Sequence, residues 1–251
     1  MNTLITYALR ERIRKKEFFM PVVLGLLLLF LQSENATITV DGQPITGFNS
    51  MLPVILLVMN GVLCILAAAL SAGTIPEAYR SRTSHLIWVR GISQPKYHFS
   101  LAVANFLAVS AATASLFFAL GLVVLTKNGT AGLAGLLPAF LLLCVNAGIV
   151  TAATCVLSIV LPPPGAGVAG FLLAVAGLLH SLLRLFGLMT GGLAAFATRI
   201  VLRITPNLDA LRLAAVDLLQ SKPVDPHTVF TALLWLYGIC LLFYVVRKKE
   251  A

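Results

Sequence analysis

Residues 133–161 read LAGLLPAFLLLCVNAGIVTAATCVLSIVL, 29 residues without an acidic or basic side chain. As one helix they measure about 44 Å at 1.5 Å per residue. A bilayer's hydrocarbon core is about 30 Å thick and needs roughly 20 apolar residues to cross, so the stretch predicts a membrane span. On its C-terminal side Pro162-Pro163-Pro164 forms a tight, rigid turn that leaves no room for a further domain, and a second apolar run follows over 165–183. Working outward, runs of spanning length cover 51–71, 99–125 and 228–246. A shorter run from Phe18 to Leu31 reaches spanning length by recruiting Glu17, Gln32 and Ser33 at its ends, giving a first span over 18–33.

The composition of the whole chain agrees. Of 251 residues 59% are hydrophobic and 11% charged, with a mean hydropathy of +0.97. Soluble domains run at about 45–50% apolar and about 25% charged, which excludes a soluble enzyme. Disorder requires low hydrophobicity and high net charge. Aromatics are 8%, and the apolar mass lies in long Leu, Ala, Val and Gly runs, against the short alternating strands of a membrane barrel. The expected fold is an all-α membrane protein, a six-transmembrane-helix bundle forming a single transmembrane domain over 1–251.

Charge placement sets the expected orientation. With both termini inside, the inner segments carry Arg10, Arg12, Arg14, Lys15, Lys16, Arg80, Arg82, Arg90, Lys96, Arg247, Lys248 and Lys249 against four acids, whereas the outer segments balance five cations with five acids. The positive-inside rule supports cytoplasmic termini, and the chain is expected as a multi-pass protein of a plasma membrane, in a prokaryote the cell or inner membrane. The N-terminal basic flank and short apolar core are close to a signal peptide, but Gln32-Ser33-Glu34-Asn35 offers no small-x-small cleavage site.

One stretch resists. From Gly165 to Thr198 is 34 residues, about 51 Å as a helix, too long for one span and too short for two with a turn. Counting a seventh span shifts the basic residues without changing the inner bias, so length decides: 185–226 is expected to form an outer re-entrant and amphipathic segment between spans 5 and 6. Gly187, Gly191 and Gly192 suit a helix that bends back where protein surrounds the freed backbone. Further on, Leu208, Leu211, Ala215, Leu218 and Leu219 recur at helical spacing, with Asp209, Arg212 and Asp217 on the remaining surface. That pattern predicts an amphipathic helix over 208–219 closing the outer side of the bundle.

The segment 1–17 is amphipathic, with Ile5, Leu9 and Ile13 on one stripe and cations elsewhere. It reads as an N-terminal interfacial helix on anionic headgroups or as a solvated topogenic tag. In the first outer loop, alternation over 37–46 around Asp41-Gly42 predicts a small hairpin. The 72–98 loop mixes Glu77, Tyr79, Arg80, Arg82, His85, Trp88, Arg90 and Lys96 with Leu86, Ile87 and Val89, suited to a short helix on a partner surface or to a loop resting on headgroups with Trp88 as anchor. Ala104, Ala108 and Ala112, and again Ala166, Gly170 and Ala174, form small-residue stripes that let helices approach, within one subunit or across a dimer.

The catalytic inventory is empty: no catalytic residue, metal site or cofactor of the chain's own is expected. No span carries a carboxylate for an ion relay. There is no Gly-x-x-x-x-Gly-Lys-Ser/Thr for ATP. Cys64, Cys144, Cys155 and Cys240 fall far apart within spans and read as small apolar filler. His180 and Arg184 stand one turn apart near the outer end of the fifth span, either as a snorkelling arginine above a histidine or as contacts to an anionic part of a cargo. Asn60, Asn105 and Asn146 read chiefly as interhelical hydrogen-bond partners, with Asn146 kept beside His180 and Arg184 as a candidate cargo contact.

The block from Ile75 to Tyr97 resembles the cytoplasmic loop after the second span of ABC-2 type transporter permeases. Glu77 stands at the family's acidic position, Arg82-Thr83 at its Gly-Thr, and Gly91-Ile92-Ser93-Gln94 where the family has Pro-Ile-Ser-Arg. The stretch from Leu9 to Lys16 looks like the family's amphipathic N-terminal helix, and Thr205-Pro206-Asn207-Leu208 is similar to its outer Pro-Asn-Leu pattern. The resemblance implies a transport subunit without an ATPase of its own. It pairs with a second permease copy or paralogue and is driven by separate nucleotide-binding ATPase subunits that hold the ATP and magnesium. It further implies that 72–98 is a coupling loop, with Glu77, Tyr79, Arg80, Arg82, Thr83 and Arg90 meeting the ATPase, and that the cargo is amphipathic, lipidic or peptide and moves outward. No nucleic acid is expected as partner. Two other readings stand beside it: a non-transporting membrane assembly or scaffold subunit, and an integral-membrane lipid-modifying enzyme.

Overall fold

A computed structural model describes residues 5–10, 23, 38–40, 43–45, 48–81, 89, 91–128 and 133–246. The expected first span, 18–33, lies outside these apart from Val23, as does most of the 1–17 segment. Residues 5–10 are helical, with Leu9 packed against the core of the bundle and Tyr7 and Arg10 exposed, as amphipathic spacing requires. The hairpin is present: β1 (Ile38–Val40) pairs antiparallel with β2 (Gln43–Ile45), Ile38 opposite Ile45.

Everything else described in regular structure is helical: α1 (Phe48–Ala72), α2 (Thr74–Arg80), α3 (Gln94–Asn128), α4 (Leu136–Val160), α5 (Pro163–Leu178), α6 (His180–Met189), α7 (Gly192–Ile204), α8 (Leu208–Leu219) and α9 (Pro226–Val245). Among the described residues four stretches are long and apolar enough to cross a membrane: Ser50–Arg80, Gln94–Thr126, Leu136–Val160 and Pro226–Val245. The bent pair α5–α6 makes a fifth if it counts as one span. The connector between the second and third expected spans is shorter than its polar composition suggested, 81–93 rather than 72–98. Hydropathy marks where lipid-compatible side chains stop, but a helix satisfies its own backbone beyond that point. The Glu77 N–H donates to the Gly73 carbonyl at 2.9 Å, carrying the hydrogen-bond ladder from α1 into α2.

The bundle is built around α4. Of its most apolar window 78% is buried, against 17% for α9, so α4 is wrapped by α1, α3, α5, α8 and α9 while α9 shows most of itself to the outside. Both small-residue stripes are consumed inside the chain. Ala104, Ala108 and Ala112 are buried, as are Ala166, Gly170 and Ala174, and Gly170 lies so close to Thr154 that a Cβ there would overlap its hydroxyl.

The fifth crossing departs from expectation. The 165–183 span ends at Leu178, and the chain turns by 70° into α6. At the bend the last turn of α5 packs tightly on the start of α8: a Cβ on Gly177 would lie 2.7 Å from Leu208 Cγ and 2.8 Å from the Pro206 carbonyl oxygen. Asn146 Nδ2 donates to the Leu208 carbonyl at 2.9 Å, which sets this junction about 15 Å along α4 from Leu136. At its other end α8 reaches Gly135, where a Cβ would overlap the Leu218 carbonyl. Thus α8 continues toward the far end from where α5 stops. The hairpin α6–α7 is inserted between the two. The turn back falls at Thr190 and Gly191, with Gly192 at φ +63°, a conformation that favours glycine, and Gly187 faces Thr198 across the hairpin.

Candidate functional site

Among the described residues a polar cluster lies toward each end of the bundle. At the connector end, Tyr79 on the last turn of α2 meets His98 in the second turn of α3, Oη to Nε2 at 2.9 Å, and Gln94 Nε2 donates to the same Oη at 2.7 Å. His98 is fully buried. Since Gln94 donates to the hydroxyl, the hydroxyl's own hydrogen is available for an unprotonated Nε2. The Tyr79 and Tyr97 rings flank the imidazole with centroids at 5.8 and 6.2 Å. About two turns deeper, Asn105 Nδ2 donates to Thr74 Oγ1 at 2.8 Å and approaches Cys155 Sγ at 3.6 Å, while Thr74 Oγ1 donates to the Leu70 carbonyl at 2.6 Å. These two rungs tie both stems of the 81–93 connector to each other and then to α4. Phe243 stacks edge-on to Phe99 with centroids 6.1 Å apart, so α9 ends at this same end of the bundle.

The residues singled out in the connector divide accordingly. Glu77 and Arg80 are exposed on α2, Tyr79 is half-buried in the clamp, and Arg82, Thr83 and Arg90 lie outside the described residues.

At the far end the cluster is charged. Arg212 donates to Asp209 Oδ1 through Nε at 2.9 Å and Nη2 at 2.6 Å, and through Nη1 to the Pro53 carbonyl on α1 at 3.0 Å. Ser181 Oγ on α6 donates to Asp209 Oδ2 at 2.5 Å. Asp209 and Arg212 are only 5% and 8% exposed. This overturns their expected place on the outer surface of an amphipathic helix. Enclosed between α4, α1, α9 and the start of α6, α8 has little surface left over, and its two charges are admitted because they neutralise each other and fill their remaining hydrogen-bond capacity. Asn207 caps the helix by accepting from the Ala210 N–H at 3.0 Å.

The three asparagines all join helices: Asn105 as above, and Asn146 to the Leu208 carbonyl and, at 3.4 Å, to Asn60 Oδ1. His180 and Arg184 are not in the bundle interior. They stand on α6, the first half-exposed and the second exposed, and no described contact brings either to Asn146. Among the described residues no three His, Cys, Asp or Glu side chains converge as metal ligands, and the four cysteines are free. What these clusters provide is linkage between helices. Sequence reasoning missed Gln94 and His98 as partners of Tyr79, since nothing in their spacing announces a contact across the connector. It also missed the ion pair, although Asp-x-x-Arg at i,i+3 is a self-neutralising spacing. No protein-family model and no curated protein matches this chain.

Proposed function

We propose that this chain is the transmembrane permease subunit of an ATP-driven transporter of the ABC-2 type. A separate nucleotide-binding ATPase docks on the connector between α2 and α3 and energises export of an amphipathic, lipidic or peptide cargo. The observation that carries the reading is the clamp of Tyr79, Gln94 and His98. A connector whose two stems are locked together and then braced to the central helix by Asn105 and Thr74 passes a push at its tip to three spans at once. The resemblance of 75–97 to a coupling loop supports it, and so does the exposure of Glu77 and Arg80 beside the clamp.

In this reading the 18–33 segment supplies the first of six spans, both termini are cytoplasmic, the membrane is the plasma membrane, and a second permease copy or paralogue completes the assembly. Closure of the ATPases around magnesium and ATP moves α2 and α3 as one body against α4. His180 and Arg184 on the exposed α6 are placed for the anionic part of an amphipathic cargo approaching from lipid. The Asn146 amide, engaged with Leu208, serves packing.

Extraction from native membranes in mild detergent should co-purify a magnesium-dependent ATPase activity. Glu77→Ala with Arg82→Ala should lower its recovery ~10-fold or more, the loss of about 1.4 kcal/mol of docking energy, with the yield of the chain itself unchanged. No associated ATPase, or equal recovery from the double variant, contradicts the proposal.

A further inference from the structure

Little of the hairpin α6–α7 is enclosed. Only Ala195 and Thr198 are buried in it, whereas Leu193 is 85% and Phe196 63% exposed. Its sequence, 180–204, contains three arginines and no acid. On α7, Phe196, Arg199, Ile200 and Arg203 share the face opposite the one packed on α6, and with Leu202 they line an open groove of about 500 Å³. Arg199 and Arg203 are one turn apart, exposed, and have no acid or hydrogen-bond partner among the described residues. Like charges at that spacing repel each other unless an anion lies between them.

We infer that this groove binds an anionic glycerophospholipid, its phosphate held between the Arg199 and Arg203 guanidinium groups and an acyl chain laid along Phe196 and Ile200. The chemistry is that of a basic amphipathic helix at a lipid interface: apolar side chains enter the acyl boundary while cations meet headgroups. Guanidinium is the group suited to phosphate, because its planar fork donates two parallel hydrogen bonds. A second copy of the chain offers a poorer complement. Asp209 is committed to Arg212 and Ser181, and Asp225 accepts from His227 N–H and Thr228, which leaves Asp217 alone among the described far-end acids to meet two arginines. The inference stands whether or not an ATPase drives the chain.

The test is native mass spectrometry of the purified chain, delipidated stepwise and then offered phosphatidylglycerol or phosphatidylcholine. Wild type should retain one more phosphatidylglycerol per chain than Arg199→Ala with Arg203→Ala, Arg→Lys at both positions should retain it partly, and phosphatidylcholine should not be held. A short alkyl phosphate should displace the lipid, and millimolar inorganic phosphate should not. Equal retention in the double alanine variant overturns the inference. So does displacement by inorganic phosphate, which would mean that the site reads a free anion. Disulfide cross-linking of Phe196→Cys between copies in a bilayer overturns it too, by showing a second chain on the groove. Unfolding in zwitterionic detergent should be unchanged in the double variant. If it is not, the preference of wild type for phosphatidylglycerol over phosphatidylcholine, with and without alkyl phosphate, decides alone.

Discussion

At the connector end, Tyr79, Gln94 and His98 join two helices that each run unbroken into the bundle, through neutral hydrogen bonds. At the far end, where a hairpin interrupts the chain between α5 and α8, Asp209 and Arg212 form a buried ion pair that fastens α8 to α1 and α6. Neutral hydrogen bonds between membrane helices are worth little each, about 0.6 kcal/mol on average, and can be exchanged as helices shift. A desolvated ion pair tolerates no such exchange, because separating the charges leaves both uncompensated. Under the proposed function the contrast assigns motion to one end and fixity to the other: helices would move as a set at the connector end, against the far end as anchor.

The largest effect expected from breaking that contrast is at the anchor. Asp209→Ala leaves the Arg212 guanidinium buried without a counter-charge and should destabilise the chain by about 3–5 kcal/mol, seen as lost folded yield and a collapsed unfolding midpoint in micelles. Replacing both partners, Asp209→Leu with Arg212→Met, should recover most of the loss, since removing a buried pair together is often close to neutral. Equal damage from the single and the double variant would mean that the pair is not a unit. At the connector end Tyr79→Phe removes only the shared hydroxyl. It should cost about 0.6 kcal/mol and no more than about 1.7 kcal/mol in the same unfolding assay, while ATP-driven transport falls far more than stability. A stability loss as large as that of Asp209→Ala would erase the distinction between the two ends.

How much of this was legible in the sequence follows from what hydropathy measures. It reports length and lipid compatibility, so 51–71, 99–125, 133–161 and 228–246 fall within a few residues of observed helices, and the spacing of Leu208 to Leu219 matches α8 at both ends. It does not report depth. The 34 residues from Gly165 to Thr198 fitted neither one span nor two because the chain bends by 70° after Leu178, where Gly177 packs against Leu208 and Pro206, and goes on as a hairpin. The same blindness put Asp209 and Arg212 outside. A charged face on a helix normally marks solvent, and only the enclosure of most of α8 by its neighbours reverses that inference. The clamp was half visible: Tyr79 was singled out, but its partners lie 15 and 19 residues along the chain, across a connector whose path no periodicity encodes.

In the proposed function, force enters through the connector from a separate ATPase. The most direct measurement places a photoreactive residue at Val89, which is 87% exposed, or at Arg80, and cross-links in native membranes. The account predicts an adduct with a protein that binds and hydrolyses ATP, formed from both positions and changed in yield when ATP hydrolysis is trapped. Adducts with lipid alone, or with a partner that binds no nucleotide, would contradict it.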